Sequence, residues 1–276
     1  MQSTAVPSTS AAWREYFEGN AQRPCAIPWE RGADLDRQSR AAVARSIQEF
    51  QRGESSEGKH LYHYAERYAN ETGDHHYLYA LRLFIAEEHR HARDLARFLQ
   101  LNGIPLIRRT VADSIFRRLR NLFRSLEISI AVLVTAEIFA QVYYAALHRA
   151  TGSTVLRHVC ERILEDEERH VQFQTWQLSR TRVHRPVVAR HLTSFAQRFL
   201  FMGTCLVVWS GHRCALRAGG HTVASFWSAA WRQFRLAFPH PAAGHSRAMR
   251  MTQSPSAYYR ASHLEGAGPD SRRTDD

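Results

Sequence analysis

The sequence predicts an all-α protein whose central part is a bundle of four long helices. Apolar residues recur with helical spacing in one segment after another, and no segment shows the sustained alternation of a β-strand. The stretch 128–150 is apolar on nearly all sides, which is typical of a helix buried among other helices. Two helical hairpins followed by additional C-terminal helices are therefore expected.

The first hairpin is predicted from two long amphipathic segments. One runs from about Asp34 to Thr72, and its apolar residues share a single helical face. Gly73 ends this segment, and Asp74 can cap a second helix that extends to about Leu101. The apolar residues of the first face are Ile47, Phe50, Leu61, Ala65 and Tyr68.

The second hairpin follows an Arg-rich connector, 108–127, in which one short amphipathic helix is expected. The buried helix 128–150 ends at a Thr-Gly turn, and Ser153 can cap a fourth helix that extends to about Thr181. Two further helices are predicted in the extension, divided by a pair of glycines. They cover 186–217 and 223–237.

These patterns divide the chain into four parts. Residues 1–33 contain three prolines and are predicted to be an extended arm, and 34–181 form the four-helix bundle. A helical extension covers 182–238. The tail, 239–276, is rich in Pro, Gly, Ser and His and is expected to be disordered.

The composition is that of an ordinary globular protein with a strong positive charge. The chain has 276 residues, 44% of them hydrophobic, and 37 basic residues against 26 acidic ones give a formal net charge of +11. Lys59 is the only lysine. This composition excludes a disordered, collagen-like or small disulfide-bonded protein, while the charge allows acidic partners.

Nothing in the sequence indicates secretion or a membrane span. The N-terminal residues lack the positive and apolar regions of a signal peptide. The longest uncharged stretches, 199–212 and 218–231, are shorter than the roughly 18–20 residues that a bilayer requires. The cysteines form neither a C-x-x-C pair nor a zinc-type cluster, so a reduced, cytoplasmic protein is expected. They are Cys25, Cys160, Cys205 and Cys214.

Two E-x-x-H motifs lie on the second and fourth predicted helices. Glu88 and His91 form one motif, and Glu167 and His170 form the other. Spacing of three residues places a carboxylate and an imidazole about one helical turn apart on one face, where both can bind the same metal ion. The motif alone is weak, since a third match occurs at 57–60.

An internal repeat strengthens the motif. Residues 57–70 align with 137–150, and after a one-residue gap at Glu71 the alignment continues through both Thr-Gly turns to both E-x-x-H motifs. Glu57 then falls on Glu137. Each hairpin thus offers one glutamate on its first helix and one E-x-x-H on its second.

Antiparallel packing of each hairpin brings four carboxylates and two imidazoles to one level. Buried carboxylates at that density repel each other unless cations neutralise them, and two divalent cations balance four negative charges. The candidate ligands are Glu57, Glu88, His91, Glu137, Glu167 and His170. Glu54, one turn earlier on the same face, is the alternative to Glu57, while His60 is expected at the surface because its repeat counterpart is an alanine.

This arrangement resembles the ferritin-like di-iron carboxylate superfamily, which includes rubrerythrins and the small subunit of ribonucleotide reductase. The resemblance covers about residues 36–180. It implies that Glu57 and Glu137 are the single carboxylates of the first and third helices. The two E-x-x-H motifs match the paired ligands of the second and fourth helices.

The resemblance also implies residues that support the ligands. Because the family often has D-E-x-x-H at the last motif, Asp166 is expected to orient His91, and its repeat mate Glu87 to orient His170. Tyrosines lie two turns from each single glutamate, either as packing residues or as radical or proton-relay groups. They are Tyr64 and Tyr144.

The leading functional hypothesis is an oxidoreductase with two iron ions, or manganese, that activates O2 or peroxide. Its substrate, a small molecule, and its electron donor are not identified. Apolar residues such as Phe84, Leu133 and Val134 are expected to exclude water. One alternative is a ferroxidase or iron-binding protein without substrate turnover; another, less favoured, is an RNA-associated protein that uses the Arg-rich connector. A homodimer is left open.

Overall fold

The all-α prediction is confirmed by a computed structural model of the chain. The model forms α-helices and one short 3-10 helix, and the residues that it describes contain no β-strand. Apart from Pro239, the residues that the structure describes all lie within one compact unit, Ala5–Phe238. The described ranges are 5–24, 27–55, 58–107, 125–183 and 185–239.

The helices follow one another along the chain with short connections wherever both ends are described. A 3-10 helix, Trp29–Arg31, lies between the first two. The α-helices are α1 (Ser10–Ala21), α2 (Arg37–Glu54), α3 (Lys59–Thr72), α4 (His75–Leu101), α5 (Leu126–Arg149), α6 (Thr154–Arg182), α7 (Val187–Ala218) and α8 (Val223–Ala237).

Helix α5 is the centre of the packing. It contacts α3, α6, α7 and α8, and its longest shared surface is with α6. Helix α4 packs against α1, α2, α3 and α6. Because α5 has neighbours on several sides, nearly all of its residues are buried, as its apolar sequence predicts. The structure is thus a helical bundle in which α2 to α6 surround one interior.

Two helices are long and apolar enough to cross a membrane when only length and composition are considered. They are α5 and α7, and the most apolar window is 94% buried inside the protein in α5 but only 39% buried in α7. The core helix of a soluble protein passes the same test. The uncharged stretches of the sequence did not indicate either helix as a possible span, because each helix also contains charged residues.

The first predicted helix is interrupted. Helix α2 ends at Glu54 and α3 begins at Lys59, so the prediction of one continuous helix over 34–72 is wrong at this point. The physical reason lies in Gly58, whose φ of +127° is outside the helical region. A Cβ at Gly58 would lie 2.9 Å from Cγ2 of Ile85 on α4, so the close approach of the two segments also requires glycine.

The N-terminal segment contains a packed helix. Trp13, Phe17 and Asn20 of α1 are fully buried, and the side chain of Thr9 caps the helix by accepting a hydrogen bond from the Ala12 amide. The expected extended conformation is therefore wrong for Ser10–Ala21. Spacing of four and three residues between the buried side chains was the helical signal that could have shown this.

The predicted turns within both hairpins are present. Gly73 adopts a left-handed conformation at the end of α3, and Asp74 accepts a hydrogen bond from the Tyr77 amide at the start of α4. Ser153 caps α6 in the same way by accepting from the Leu156 amide. The two helices expected beyond the bundle are α7 and α8. The Arg-rich residues 108–124 and the tail from 240 lie outside the described residues, and the domain division stays a prediction.

Candidate metal centre

Four buried side chains from α4 and α6 form a group that could hold a metal ion. They are Glu88, His91, Glu167 and His170, and one ligand atom from each lies within 4.8 Å of the others. None of the four is more than 2% exposed. The structure thus brings together the two E-x-x-H motifs, which lie far apart in the sequence.

Both histidines direct Nδ1 to the centre of this group, and each directs Nε2 to a carboxylate outside it. Nε2 of His91 lies 3.1 Å from a carboxylate oxygen of Asp166, and Nε2 of His170 lies 2.9 Å from one of Glu87. Because a carboxylate only accepts, each Nε2 donates, and Nδ1 is left facing inward as the metal-binding atom. Both pairings were expected from the sequence, and both contacts are present.

The inward nitrogens lie among the carboxylates of the group. Nδ1 of His170 is 2.8 Å from Oε1 of Glu88 and 3.8 Å from Oε2 of Glu167. Nδ1 of His91 is 3.6 Å from Oε1 of Glu167. Ligand atoms around one metal ion are separated by distances of this order, so the geometry suits coordination.

Glu54, at the last turn of α2, joins this group. It is buried, and Tyr144 of α5 donates a hydrogen bond of 2.5 Å to its carboxylate. The negative charge of Glu88 raises the pKa of Glu54, and the charge of His91 lowers it. Glu57, which the repeat favoured for this role, lies outside the described residues. The structure therefore places the alternative residue of α2 at the site.

Glu137 supplies the carboxylate of α5. It is 3% exposed, near the middle of the most buried helix of the structure. Its charge raises the pKa of both Glu88 and Glu167. Together with Glu54, it completes a set of four carboxylates and two imidazoles contributed by α2, α4, α5 and α6.

The carboxylates are strongly perturbed by one another. Burial and the negative charge of Glu137 raise the pKa of Glu88 to about 7. Burial, followed by neighbouring carboxylates, also raises the pKa of Glu54 and of Glu167 well above the ordinary value. Without cations, such a group must keep protons at neutral pH, because burial disfavours several adjacent negative charges.

The pKa of Asp166, the carboxylate that holds His91, is shifted in the opposite direction. Burial raises the pKa of Asp166, but the hydrogen bond with His91 and the charges of His91 and Arg90 outweigh burial and hold it well below its usual range. The guanidinium of Arg90 lies 2.7 Å from this carboxylate. Asp166 is therefore ionised and fixed, which suits the orientation of a metal-binding histidine.

Asn20 of α1 connects Glu87 and Asp166, the two carboxylates that hold the histidines. Its side-chain amide donates to Glu87 over 2.6 Å and to Asp166 over 2.8 Å, and the residue is fully buried. One amide group thus fixes the partners of both histidines. The sequence did not indicate this residue, because the mixed polarity and the prolines of the N-terminal segment predicted an extended arm.

The donor set passes a further test for metal binding. Nδ1 of His91 and both carboxylate oxygens of Glu167 are buried and have no well-formed hydrogen bond among the described residues. Buried polar atoms are nearly always hydrogen-bonded, and ligand atoms of a metal ion are a common reason for an exception. Carboxylate oxygens and imidazole nitrogens are the ligands that Fe(II) and Mn(II) favour. The residues present therefore fit such ions.

Two aromatic rings pack against His170 of the group, and one of them, Phe84, was expected there from the sequence. The ring of Phe84 lies edge-on to His170 with 4.6 Å between centroids, and Phe17 of α1 lies 6.2 Å from the same ring. Leu133 and Val134 of α5 are buried as well. This packing shields the polar group from bulk water.

The remaining candidates lie in different surroundings. Tyr144 contacts the site through Glu54, and burial raises its pKa well above the usual range. Tyr64 is half-buried on α3 and packs against the hydrophobic cluster that includes Leu61 and Phe84, which is a packing role. His60 is exposed, as expected.

Comparisons with known proteins give no relative from which a function could be taken. No family model, no curated protein and no solved structure matches the chain.

Proposed function

We propose that the protein binds two divalent metal ions, iron or manganese, in the interior of its helical bundle and is an oxidoreductase that activates O2 or peroxide there. The observation that carries the proposal is the buried group of Glu88, His91, Glu167 and His170, with inward nitrogens and neighbouring carboxylates. Glu54 and Glu137 extend this group to the composition expected from the resemblance to ferritin-like di-iron proteins.

Charge balance favours two ions over one. Four ionised carboxylates in a buried group carry four negative charges, and the strongly raised pKa values show the cost of leaving them without cations. Two divalent cations neutralise this charge completely. Each E-x-x-H can then bind one ion, while Glu54 and Glu137 supply the single carboxylates of the other two helices.

Bound iron or manganese supplies one-electron chemistry with O2 or peroxide. The chain itself provides the rigid ligands and the exclusion of water. Glu87 and Asp166 fix the orientation of the histidines and increase the basicity of Nδ1, and Phe84 closes the apolar side. The hydrogen bond from Tyr144 holds Glu54 at the end of α2.

A metal titration tests the proposal. Anaerobic addition of Fe(II) followed by O2, monitored by optical absorption and by metal analysis, is expected to give about two ions per chain. Glu137→Ala and His170→Ala should lose most of this metal. His60→Ala is the matched control, since His60 is exposed, and should bind like the wild type. A wild-type protein that stays metal-free after reconstitution would contradict the proposal.

The same experiment separates turnover from metal binding alone. Catalysis predicts repeated consumption of O2 or peroxide when a chemical reductant is supplied. A single oxidation of bound Fe(II), with no further consumption of reductant, would instead indicate a ferroxidase or iron-binding protein. The RNA alternative depends on residues 108–124, which are not described, and stays a prediction; a steep loss of RNA affinity with salt would support it.

A further inference from the structure

Helix α7 carries a continuous line of exposed apolar side chains on the face that points away from the bundle. The line, which we call the α7 stripe, follows the helix over about 27 Å at 1.5 Å per residue. Its members are between 41% and 71% exposed. They are Val188, Leu192, Phe195, Phe199, Met202 and Leu206.

The opposite face of the same helix is buried against the rest of the protein. It packs against α2, α5 and α8, and Phe201, Cys205 and Val208 are buried in the main hydrophobic cluster. Helix α7 is thus apolar on two sides, and only one of them is covered by the described residues. Single exposed apolar residues are common, but a line of six that includes two phenylalanines is characteristic of an interaction surface.

The spacing of the stripe indicates that its partner is another helix. Its residues alternate four and three positions apart, which is the a and d pattern of a coiled-coil interface. Small residues accompany the stripe on one flank at intervals of seven: Ala196 and Gly203 are exposed, and Ala189 is partly exposed. Small side chains at this position allow two helix backbones to approach closely.

We propose that the α7 stripe is the interface of a homodimer, in which the α7 helices of two copies pack antiparallel about a two-fold axis level with Gln197. The stripe is complementary to itself in that arrangement, since every member meets another member at the same register. Val188 faces Leu206 of the second copy, Leu192 faces Met202, and Phe195 faces Phe199.

The charges near the stripe determine which of its flanks can approach closely. Helix α7 contains no acidic residue, so its own arginines have to be kept apart in a dimer. Arg198 and His191 lie on the flank opposite to the small residues. In the antiparallel pair the small flanks of the two copies meet on one side of the interface, and the basic flanks lie together on the wider side, where the long Arg198 side chains can extend into solvent.

The exposed apolar area of the stripe is comparable in size to the area that a dimer interface buries. From the exposed fractions, the stripe and the adjacent Val187 offer about 800 Å² per copy, which matches the roughly 800 Å² per partner of a standard interface. The largest apolar patch of an ordinary monomer is about 300–600 Å². A membrane surface would also cover apolar residues, but it would not require the alternating spacing or the small-residue flank.

Molar mass in solution tests the proposal on the full chain. Light scattering and sedimentation equilibrium at micromolar concentration are expected to give a dimer, and Phe199→Glu should shift the protein to a monomer with unchanged far-ultraviolet circular dichroism. Val223→Glu is the matched control, because Val223 is 58% exposed on α8 and should leave the dimer intact. A monomeric wild type, or a Phe199→Glu variant that remains dimeric, would overturn the proposal.

A crosslinking experiment tests the register even if Phe199→Glu folds poorly. Ala196→Cys places thiols of the two copies opposite each other near the axis, so mild oxidation should convert most of the protein to a disulfide-linked dimer. The wild type, with Cys214 exposed, is the control and should not crosslink. Absence of crosslinking, or Phe199-dependent binding of a monomer to anionic phospholipid vesicles, would show that the stripe has another partner.

Discussion

Tyr144 donates a hydrogen bond of 2.5 Å to the carboxylate of Glu54. This contact joins the last turn of α2 to the middle of α5, across the interior that also contains Glu88 and Glu137. Because burial raises the pKa of both Tyr144 and Glu54, the proton is held between them unless a cation displaces it. Glu54 is therefore placed to serve as the carboxylate of the first hairpin.

The first prediction distinguishes Glu54 from Glu57. Glu54→Ala is expected to lower the metal content of reconstituted protein from about two ions per chain to about one or fewer, since one coordinating carboxylate is lost. Glu57→Ala should bind metal like the wild type. Metal analysis after removal of unbound iron measures both variants, and the reverse result would assign the role to Glu57, as the sequence repeat favours.

The second prediction concerns Asn20. Asn20→Ala removes the amide that donates to both Glu87 and Asp166, leaving two buried carboxylates with one hydrogen bond fewer. We expect a loss of about 1–3 kcal/mol in the free energy of unfolding and a 10- to 100-fold weaker metal affinity. Chemical denaturation and competition with a chelator measure the two effects. Unchanged affinity in a destabilised protein would restrict Asn20 to packing.

The third prediction is a pH dependence of the metal-free protein. The pKa of Glu88 is raised from 4.5 to about 7 in the folded state, so the folded state binds more protons than the unfolded state in this window. The contribution of Glu88 to stability is then fully present below about pH 4.5 and is lost as the pH rises through about 7. Glu88→Gln removes the buried charge. The free energy of unfolding of this variant should exceed that of the wild type by about 3 kcal/mol at pH 8, with little difference at pH 4.

Thermal unfolding of both proteins from pH 4 to pH 8, in the presence of a chelator, measures this difference. Bound metal ions should reverse the trend in the wild type, because they favour the ionised carboxylates. A difference between the two proteins that does not change with pH would contradict the raised pKa.

The fourth prediction concerns the turn between α7 and α8. A Cβ at Gly219 would lie 2.3 Å from the carbonyl oxygen of Ala146 on α5, so Gly219→Ala should force these helices apart and cost about 3 kcal/mol. Gly220 has a φ of +86° but open space around it, and Gly220→Ala should cost only about 1–2 kcal/mol. Equal losses in urea denaturation would mean that the close approach to α5 is not tight.

The sequence by itself determined the helical class and much of the candidate site. Helical periodicity and the Thr-Gly turns predicted α4, α5 and α6, because local spacing and capping are sufficient to specify long amphipathic helices. The repeated E-x-x-H motifs predicted that Glu88, His91, Glu167 and His170 meet, since a one-turn spacing on facing helices leaves few other arrangements.

Tertiary structure alone decided which residues complete the group. Glu54 is buried and accepts a hydrogen bond from the Tyr144 hydroxyl on α5, a contact between helices that no local pattern predicts, while Glu57 lies outside the described residues. Asn20 reaches Glu87 and Asp166 because α1 packs along α4, a contact between segments that are far apart in sequence. Local patterns cannot encode such contacts, because they depend on how separate helices pack around one interior.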